Sequence, residues 1–282
     1  MSGSATASSA DSVIDTGTDT VLARITEGVG VVTLNRPERR NALHPEMFDG
    51  VPRALERFAE DSEVGCVLIN GAGASFCAGG DVRDGRARRA ADSDPPPTLE
   101  QRVAELTHNA RMVRLLHEMP KVTIAALSGG SVGAGLSIAL STDLRVADRS
   151  AMLIPGWGRL ALSGDFGGAW FLSRLVGPSK ALELLVDGAP IAADAALALG
   201  LVNRVVEVDE LDTAAMAWAR TIASGPSVAL GRMKANVLDA YRLSLAEALP
   251  LESERMVRSG STDEHKQAVR AWLAAAAAKK SS

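Results

Sequence analysis

The sequence predicts an α/β protein with a substantially parallel sheet and a helical C-terminal subdomain, on three observations. Short apolar runs alternate with amphipathic segments from residue 21 to about residue 147. Two of those runs end in glycine-rich turns, Phe76-Cys77-Ala78-Gly79-Gly80-Asp81 and Gly129-Gly130-Ser131-Val132-Gly133-Ala134-Gly135. Beyond residue 165 the chain turns almost wholly helical. The division read from this is a disordered tail over 1–20, an α/β core over 21–205 and a helical subdomain over 206–282.

In chain order, Val21–Thr26 and Gly30–Leu34 read as a hairpin through Glu27-Gly28, and Val64–Asn70 as a buried strand. A helix is expected between them, begun at Pro45 and kinked or broken at Pro52. Val82 to Thr98 carries Arg83, Arg86, Arg88 and Arg89, then Pro95 to Pro97, and reads as a mobile loop. A helix through Met119, the strand Lys121–Leu127, the second glycine turn, a short helix from Gly133 and the strand Asp143–Ala147 follow. The helices expected after that are Gly168–Val176, Ser179–Asp187, Ala193–Leu199, Asp209–Ala223, Ser227–Ala240, Ser244–Arg258 and Thr262 to about Ala277.

Composition sets limits. The 282 residues are 46% hydrophobic, enough for a sizeable core, and a net charge of −4 gives no general attraction to nucleic acid or to an anionic membrane. The apolar stretches are interrupted before reaching membrane-spanning length. Cys66 and Cys77 form no disulfide framework and lack metal-ligand spacing, which suits a reducing cytoplasm. The first twenty residues have neither a basic start nor an apolar run, so they do not read as a secretory signal.

Glycine turns leave backbone N–H groups unmasked. Two such groups from separate turns, aimed at one point, would bind a thioester oxygen as negative charge develops on it. Taken singly, each turn could equally serve close packing of helix on sheet. Neither fits a nucleotide motif, because the second lacks the G-x-G-x-x-G order and neither ends in Gly-Lys-Ser/Thr.

Asn35-Arg36-Pro37-Glu38-Arg39-Arg40-Asn41-Ala42-Leu43, then Gly71-Ala72-Gly73 leading to the first turn, then Ser128 through Gly135, resemble the crotonase superfamily, the enoyl-CoA hydratase/isomerase family. The resemblance continues through Ala195 to Val202 and covers about residues 20 to 275. It implies a crotonase spiral of ββα units with C-terminal helices that assemble trimers or hexamers. It also implies an acyl-CoA substrate, whose coenzyme A is the only cofactor-like group, with no metal. The two oxyanion donors fall on the N–H groups of Gly80 and Ala134. Ala42, Leu43, Ala78, Asp81, Val82, Gly130, Gly133 and Trp157 fall along the substrate channel. Arg36 and the loop arginines could meet CoA phosphates or simply solvate a surface.

The acid–base positions depart from the hydratase pattern. The resembling hydratases place two glutamates around a water, and the matching positions here hold Ser137 and Trp157. Neither is a carboxylate. Asp165, in Leu162-Ser163-Gly164-Asp165-Phe166-Gly167-Gly168, matches the proton-transferring Asp of ring-epoxide phenylacetyl-CoA isomerases, and it could equally cap the following helix. The Trp157 to Asp165 spacing also resembles 4-chlorobenzoyl-CoA dehalogenase, with Asp165 as a nucleophile. The position of that enzyme's essential His is Ala110 here, with His108 and His117 nearby. Trp157 could be core, or an apolar wall that raises the Asp165 pKa. The expected activity is isomerase-type proton transfer by Asp165 beside a thioester enolate. A hydratase with an atypical acid–base set, an aromatic acyl-CoA enzyme with an Asp165 ester, and a non-catalytic acyl-CoA binder remain open.

Overall fold

The computed structural model describes residues 11–81 and 95–280. Val82 and the four loop arginines lie outside them.

A seven-stranded sheet forms the centre, in the order β1-β2-β3-β4-β5-β7-β10. Its strands are β1 (Ser12–Ile14), β2 (Val21–Thr26), β3 (Val29–Leu34), β4 (Cys66–Gly71), β5 (Val122–Leu127), β7 (Leu144–Asp148) and β10 (Arg204–Val206). The first two pairings are antiparallel, and every pairing from β3 onward is parallel. Strand alternation sorts the side chains to two faces. Val67, Ile69, Ala125 and Leu127 enter the larger core, while Cys66, Leu68, Ile124 and Ala126 meet Leu211, Ala215 and Ala219 of the helix Leu211–Ala223. Both faces of β4 and β5 are therefore covered, which is why these strands read as unbroken apolar runs.

The larger core takes its helical layer from α1 (Met47–Glu60), α3 (Arg111–Glu118) and α4 (Ala134–Ser141). Pro52 does not break α1, so of the two outcomes expected of it the break is excluded. It sits on the buried face with Val51, Ala54, Leu55 and Phe58, and burial of such side chains at about 1.5–3 kcal/mol each offsets the roughly 3 kcal/mol cost of an interior proline. The helix expected up to Met119 is instead two, α2 (Leu99–Asn109) and α3, separated at Ala110. A capping box of Thr98 and Gln101 opens α2.

Three differences concern short elements. The tail expected over 1–20 includes β1, in which Val13 pairs with Arg24, and the Thr16 hydroxyl donates to the Val21 carbonyl at 2.7 Å. A second sheet of three strands, β6 (Gly130–Val132), β8 (Met152–Ile154) and β9 (Ile191–Ala192), was not foreseen, and neither was β10. The second glycine turn is thus partly a strand.

The remaining helices are α5 (Gly168–Val176), α6 (Pro178–Asp187), α7 (Ala193–Ala198), α8 (Leu211–Ala223), α9 (Ser227–Ala240), α10 (Leu245–Gly260) and α11 (Asp263–Lys280). Lys234 seats α9 on the sheet, with Nζ 2.9 Å from Asp143 Oδ2 and donating to the Leu116 and Lys121 carbonyls at 3.1 Å. In contrast, α10 buries none of its residues. Between α9, α10 and the core lies a cavity of about 730 Å³, lined in part by Trp170, Arg174, Met233, Val237 and Tyr241.

Candidate active site

The two glycine turns meet edge to edge. Cys77 and Ser131 form a parallel bridge in which Cys77 N–H donates to the Gly130 carbonyl at 3.1 Å and Val132 N–H to the Cys77 carbonyl at 2.9 Å. Gly79 stands at φ +81°, and a Cβ there would lie 2.5 Å from the Val132 carbonyl oxygen and 3.6 Å from the Ala134 nitrogen. Only glycine fits so close an approach. A Cβ on Gly135 would meet the Cys77 carbonyl oxygen at 2.4 Å, so a second glycine is required where α4 crosses the first turn.

This interlock leaves two amides unpaired. Gly133 N–H donates to the Ile154 carbonyl at 2.9 Å, but the N–H groups of Gly80 and Ala134 have no acceptor among the described residues. Ala134 is the first residue of α4, where the helix dipole adds positive potential to an open N–H.

The segment 35–43 clamps the first turn. Ala78 N–H donates to the Arg40 carbonyl at 2.9 Å and Leu43 N–H to the Gly79 carbonyl at 2.8 Å. Asn41 is fully buried at φ +54°. Its side chain accepts from the Arg36 N–H at 2.8 Å and donates to the carbonyls of Ala72 at 2.9 Å and Ser75 at 2.7 Å. Nothing in the local sequence pattern pointed to this hub, although Asn is among the few residues that readily adopt a left-handed backbone.

Asp81 is held by Arg36, whose Nη1 and Nη2 each lie 3.2 Å from Asp81 Oδ2, with Nη1 also donating to the Ala42 carbonyl at 2.6 Å. Its guanidinium is thus engaged by the protein itself. Ala42 and Leu43 are buried beside this pair, Ala78, Gly130 and Gly133 are half-buried, and Gly80 is exposed. Cys77 is no nucleophile, because burial pushes its thiol up to about 12.

Behind the second turn lies Trp157, buried, at the start of a one-turn 3-10 helix over Trp157–Leu160. A Cβ on Gly133 would lie 3.6 Å from its Nε1, and one on Gly168 would collide with its ring at 2.4 Å. Trp157 Nε1 donates to Asp165 Oδ1 at 2.9 Å. Ser137 Oγ donates to the Asp165 main-chain carbonyl at 3.1 Å, which also receives the Gly168 N–H at 3.0 Å. The two positions that lack glutamates thus both hold Asp165, Trp157 by its carboxylate and Ser137 by its main-chain carbonyl.

Asp165 is not a helix cap: the N-cap of α5 is Gly167, with no side-chain capping bond. Burial raises the Asp165 pKa above the ordinary carboxylate value, and the Trp157 bond opposes part of that rise. Phe166, at φ +51°, turns its ring inward to lie 6.1 Å from Phe48. Neither histidine near the Ala110 position is seen to bond Asp165: His117 stacks edge-on against Trp170 and Phe171, and His108 approaches Arg111 and Asp49. The structure therefore gathers Gly80, Ala134, Gly133, Trp157 and Asp165 around the joined turns, with Asp81 turned to Arg36 at their edge.

Residues 24–278 match the enoyl-CoA hydratase/isomerase family. The 1,2-epoxyphenylacetyl-CoA isomerase of Escherichia coli (strain K12) is 34% identical over 254 residues, covering 90% of this chain and 95% of that protein. The short-chain-enoyl-CoA hydratase of Clostridium acetobutylicum is 35% identical over 246 residues, covering 87% of this chain and 91% of that protein. An enoyl-CoA hydratase from Polaromonas sp. JS666 has a crystal structure that superposes with a TM-score of 0.83 at 30% identity, over 90% of this chain and 96% of that one. The chain belongs to the enoyl-CoA hydratase/isomerase family, has its crotonase fold, and is an enzyme of that family.

Proposed function

Taking that membership as the premise, we propose that this enzyme isomerises an acyl-CoA by moving a proton with Asp165 while the Gly80 and Ala134 amides hold the thioester oxygen. The observation that carries the reading is the placement of Asp165, whose carboxylate receives Trp157 Nε1 at 2.9 Å behind a turn with an open amide. Asp165 takes a proton from a carbon of the acyl group, and the C–H electron pair becomes the enolate double bond. The resulting negative charge sits on the thioester oxygen, facing the two N–H groups. In an unsaturated acyl group the adjacent C=C shares the negative charge with the γ-carbon, and return of the proton there shifts the double bond by one position, so the reaction consumes no co-reactant. Raised by burial, the Asp165 carboxyl is a stronger base once ionised than an exposed one.

The same residues argue against hydration. A two-glutamate site activates water from both sides, whereas Ser137 Oγ and Trp157 Nε1 here both donate to Asp165. Ala42, Leu43, Ala78, Asp81, Gly130 and Gly133 are proposed to line the CoA channel through backbone and apolar contact. With both cysteines free and buried, a cytoplasmic setting is part of the reading. No helix among the described residues is long and apolar enough to cross a membrane.

Assembly belongs to the proposal as well. Met233, Val237, Leu245, Leu249, Met256 and Val257 are exposed on α9 and α10, with Tyr241 at the C-cap of α9, an apolar surface that suits a homotrimer or homohexamer. Light scattering is expected to give one of those masses, and a stable monomer at micromolar concentration refutes this part.

The deciding experiment is proton exchange beside the thioester in D2O, with phenylacetyl-CoA as the probe. Asp165→Asn preserves shape and is expected to slow exchange by about 10²- to 10⁴-fold with acyl-CoA affinity retained. Full exchange in the folded variant overturns the role of Asp165. A covalent ester trapped on Asp165 replaces proton transfer with nucleophilic attack.

A further inference from the structure

We propose that the cavity between α9, α10 and the core is a second ligand site, for a medium-chain alkyl carboxylate whose head group is held by Arg174. None of Gly80, Ala134, Trp157 or Asp165 lines it, so the inference stands apart from the catalytic reading above.

Charge selects the head group. Three acidic residues line the cavity and each is engaged: Asp143 by Lys234 at 2.9 Å, Asp239 by Arg242 at 2.5 Å and Arg255 at 2.6 Å, and Glu118 by Arg114 at 3.9 Å. Arg145 donates to the Leu201 and Thr142 carbonyls, both at 2.6 Å. Arg174 is left with no carboxylate among the described residues. Its guanidinium lies over Trp170, with Cζ 3.5 Å from that ring centroid and 5.9 Å from that of Tyr241. Nη1 reaches the Trp170 carbonyl at 3.4 Å, and Nε is buried with no acceptor among the described residues. A buried cationic donor without an acceptor is costly, and a carboxylate is the group that suits the planar guanidinium fork.

Shape selects the tail. Met233 and Val237 on α9 and Tyr241 at its C-cap recur every four residues, so they form one stripe about 12 Å long. All three are exposed, as is Trp170, which also lines the cavity. Arg174 stands near the Tyr241 end, so a chain anchored there by its carboxylate runs along the stripe toward Met233. An extended alkyl chain of roughly eight to ten carbons covers that length. The volume of about 730 Å³ accommodates it. A free acid fits where an acyl-CoA does not, because the thioester end of an acyl chain carries no charge for Arg174.

The test is isothermal titration of the protein in its native oligomeric state with sodium decanoate, with and without saturating phenylacetyl-CoA. One saturable equivalent per chain is expected in both cases. Decanol, which lacks the charge, and acetate, which lacks the chain, are expected to bind at least about tenfold more weakly. Arg174→Gln is expected to weaken decanoate by about tenfold or more, to the level of decanol. Undiminished affinity in folded Arg174→Gln, or decanol binding as tightly as decanoate, overturns the inference. Should Arg174→Gln fail to fold, Val237→Glu decides from an exposed position: its carboxylate opposes the ligand along the stripe, so lost binding supports the site and retained binding overturns it. Displacement of decanoate by phenylacetyl-CoA places the acid in the substrate channel and overturns the second site while leaving the catalytic reading intact. Failure of the assembled protein to bind decanoate overturns it too, because the stripe is then covered by another copy of the chain. Loss of the role proposed for Asp165 leaves decanoate binding unchanged, so the two readings fail separately.

Discussion

The turn that presents Gly80 and the segment that presents Asp165 are built by opposite means. The first is held almost wholly by backbone. Bonds to Arg40, Leu43, Gly130 and Val132 surround it, and glycines are required at 79 and 135 because neighbouring carbonyls stand where a Cβ would go. The second, residues 156–168, takes left-handed conformations at Gly156, Ala161, Gly164, Phe166 and Gly167, two of them not glycine. Such residues cost on the order of 1–2 kcal/mol each and persist only when the surroundings over-determine them. Around Asp165 that determination comes from two side chains, Trp157 and Ser137. On the proposed mechanism, charge stabilisation is therefore written in the backbone, and proton transfer in side chains.

The sharpest way to break this contrast, after Asp165→Asn, is Gly79→Ala. The methyl would sit 2.5 Å from the Val132 carbonyl oxygen at a φ of +81°, so the two turns must separate. Exchange is expected to fall by about a hundredfold or more, the cost of losing an oxyanion donor, with the Asp165 pH dependence unchanged. A folded Gly79→Ala protein with near wild-type exchange would show that the interlock is not needed.

The same contrast explains what could be read beforehand. Glycine and proline punctuation is local, so the helices Gly168–Val176 and Ser227–Ala240, which follow Gly167 and Pro226, are delimited to the residue. The glycine turns were legible because a requirement on the backbone leaves glycines in the sequence. The strands Met152–Ile154 and Arg204–Val206 were not, since three residues are too few to establish a period and their pairing partners are distant in sequence. Asn41 and Ser137 were opaque for the same reason: each acts on carbonyls 28 to 34 residues away. Asp165 reads from sequence as either cap or base; Gly167 at the N-cap removes the first reading, and the bond from Trp157 is what supports the proposed second.

A smaller effect tests whether the side-chain half can be rewritten. Ser137→Glu restores a carboxylate at a position where hydratases of the resembling pattern carry one, yet Ser137 is here a donor to the Asp165 carbonyl at 3.1 Å. A glutamate there loses the donor and opposes that carbonyl. Its position is also crowded, because a Cβ on Gly168 would already lie 2.8 Å from Ser137 Oγ. Hydration of crotonyl-CoA is expected to be slow in the wild type, by roughly a hundredfold or more relative to a two-glutamate enzyme, and no faster in Ser137→Glu. Proton exchange is expected to fall about tenfold as the Asp165 segment loosens. Hydration at dedicated-hydratase rates in either protein would sink the assignment.

The smallest expected effect is the most specific, because it is a displacement along the pH axis. The Asp165 pKa is raised by burial and lowered by the Trp157 bond, which favours the charged carboxylate. The base must be ionised to accept a proton, so exchange rises with pH through the Asp165 pKa. Trp157→Phe keeps most of the apolar wall and deletes the donor, so that pKa climbs and the rising limb moves to higher pH. Below the limb the variant is slower, and above it the two proteins converge to within a few fold. Stability carries the matching sign. A carboxyl whose folded pKa is raised binds protons more readily in the native state, so its contribution to stability is present at low pH and is lost as pH rises through the folded value. Trp157→Phe should enlarge that loss, and Asp165→Asn should abolish it, in denaturant titrations repeated across the acid range. A limb that stays in place when Trp157 is replaced would mean that the indole N–H does not tune the base, and that packing alone holds Asp165.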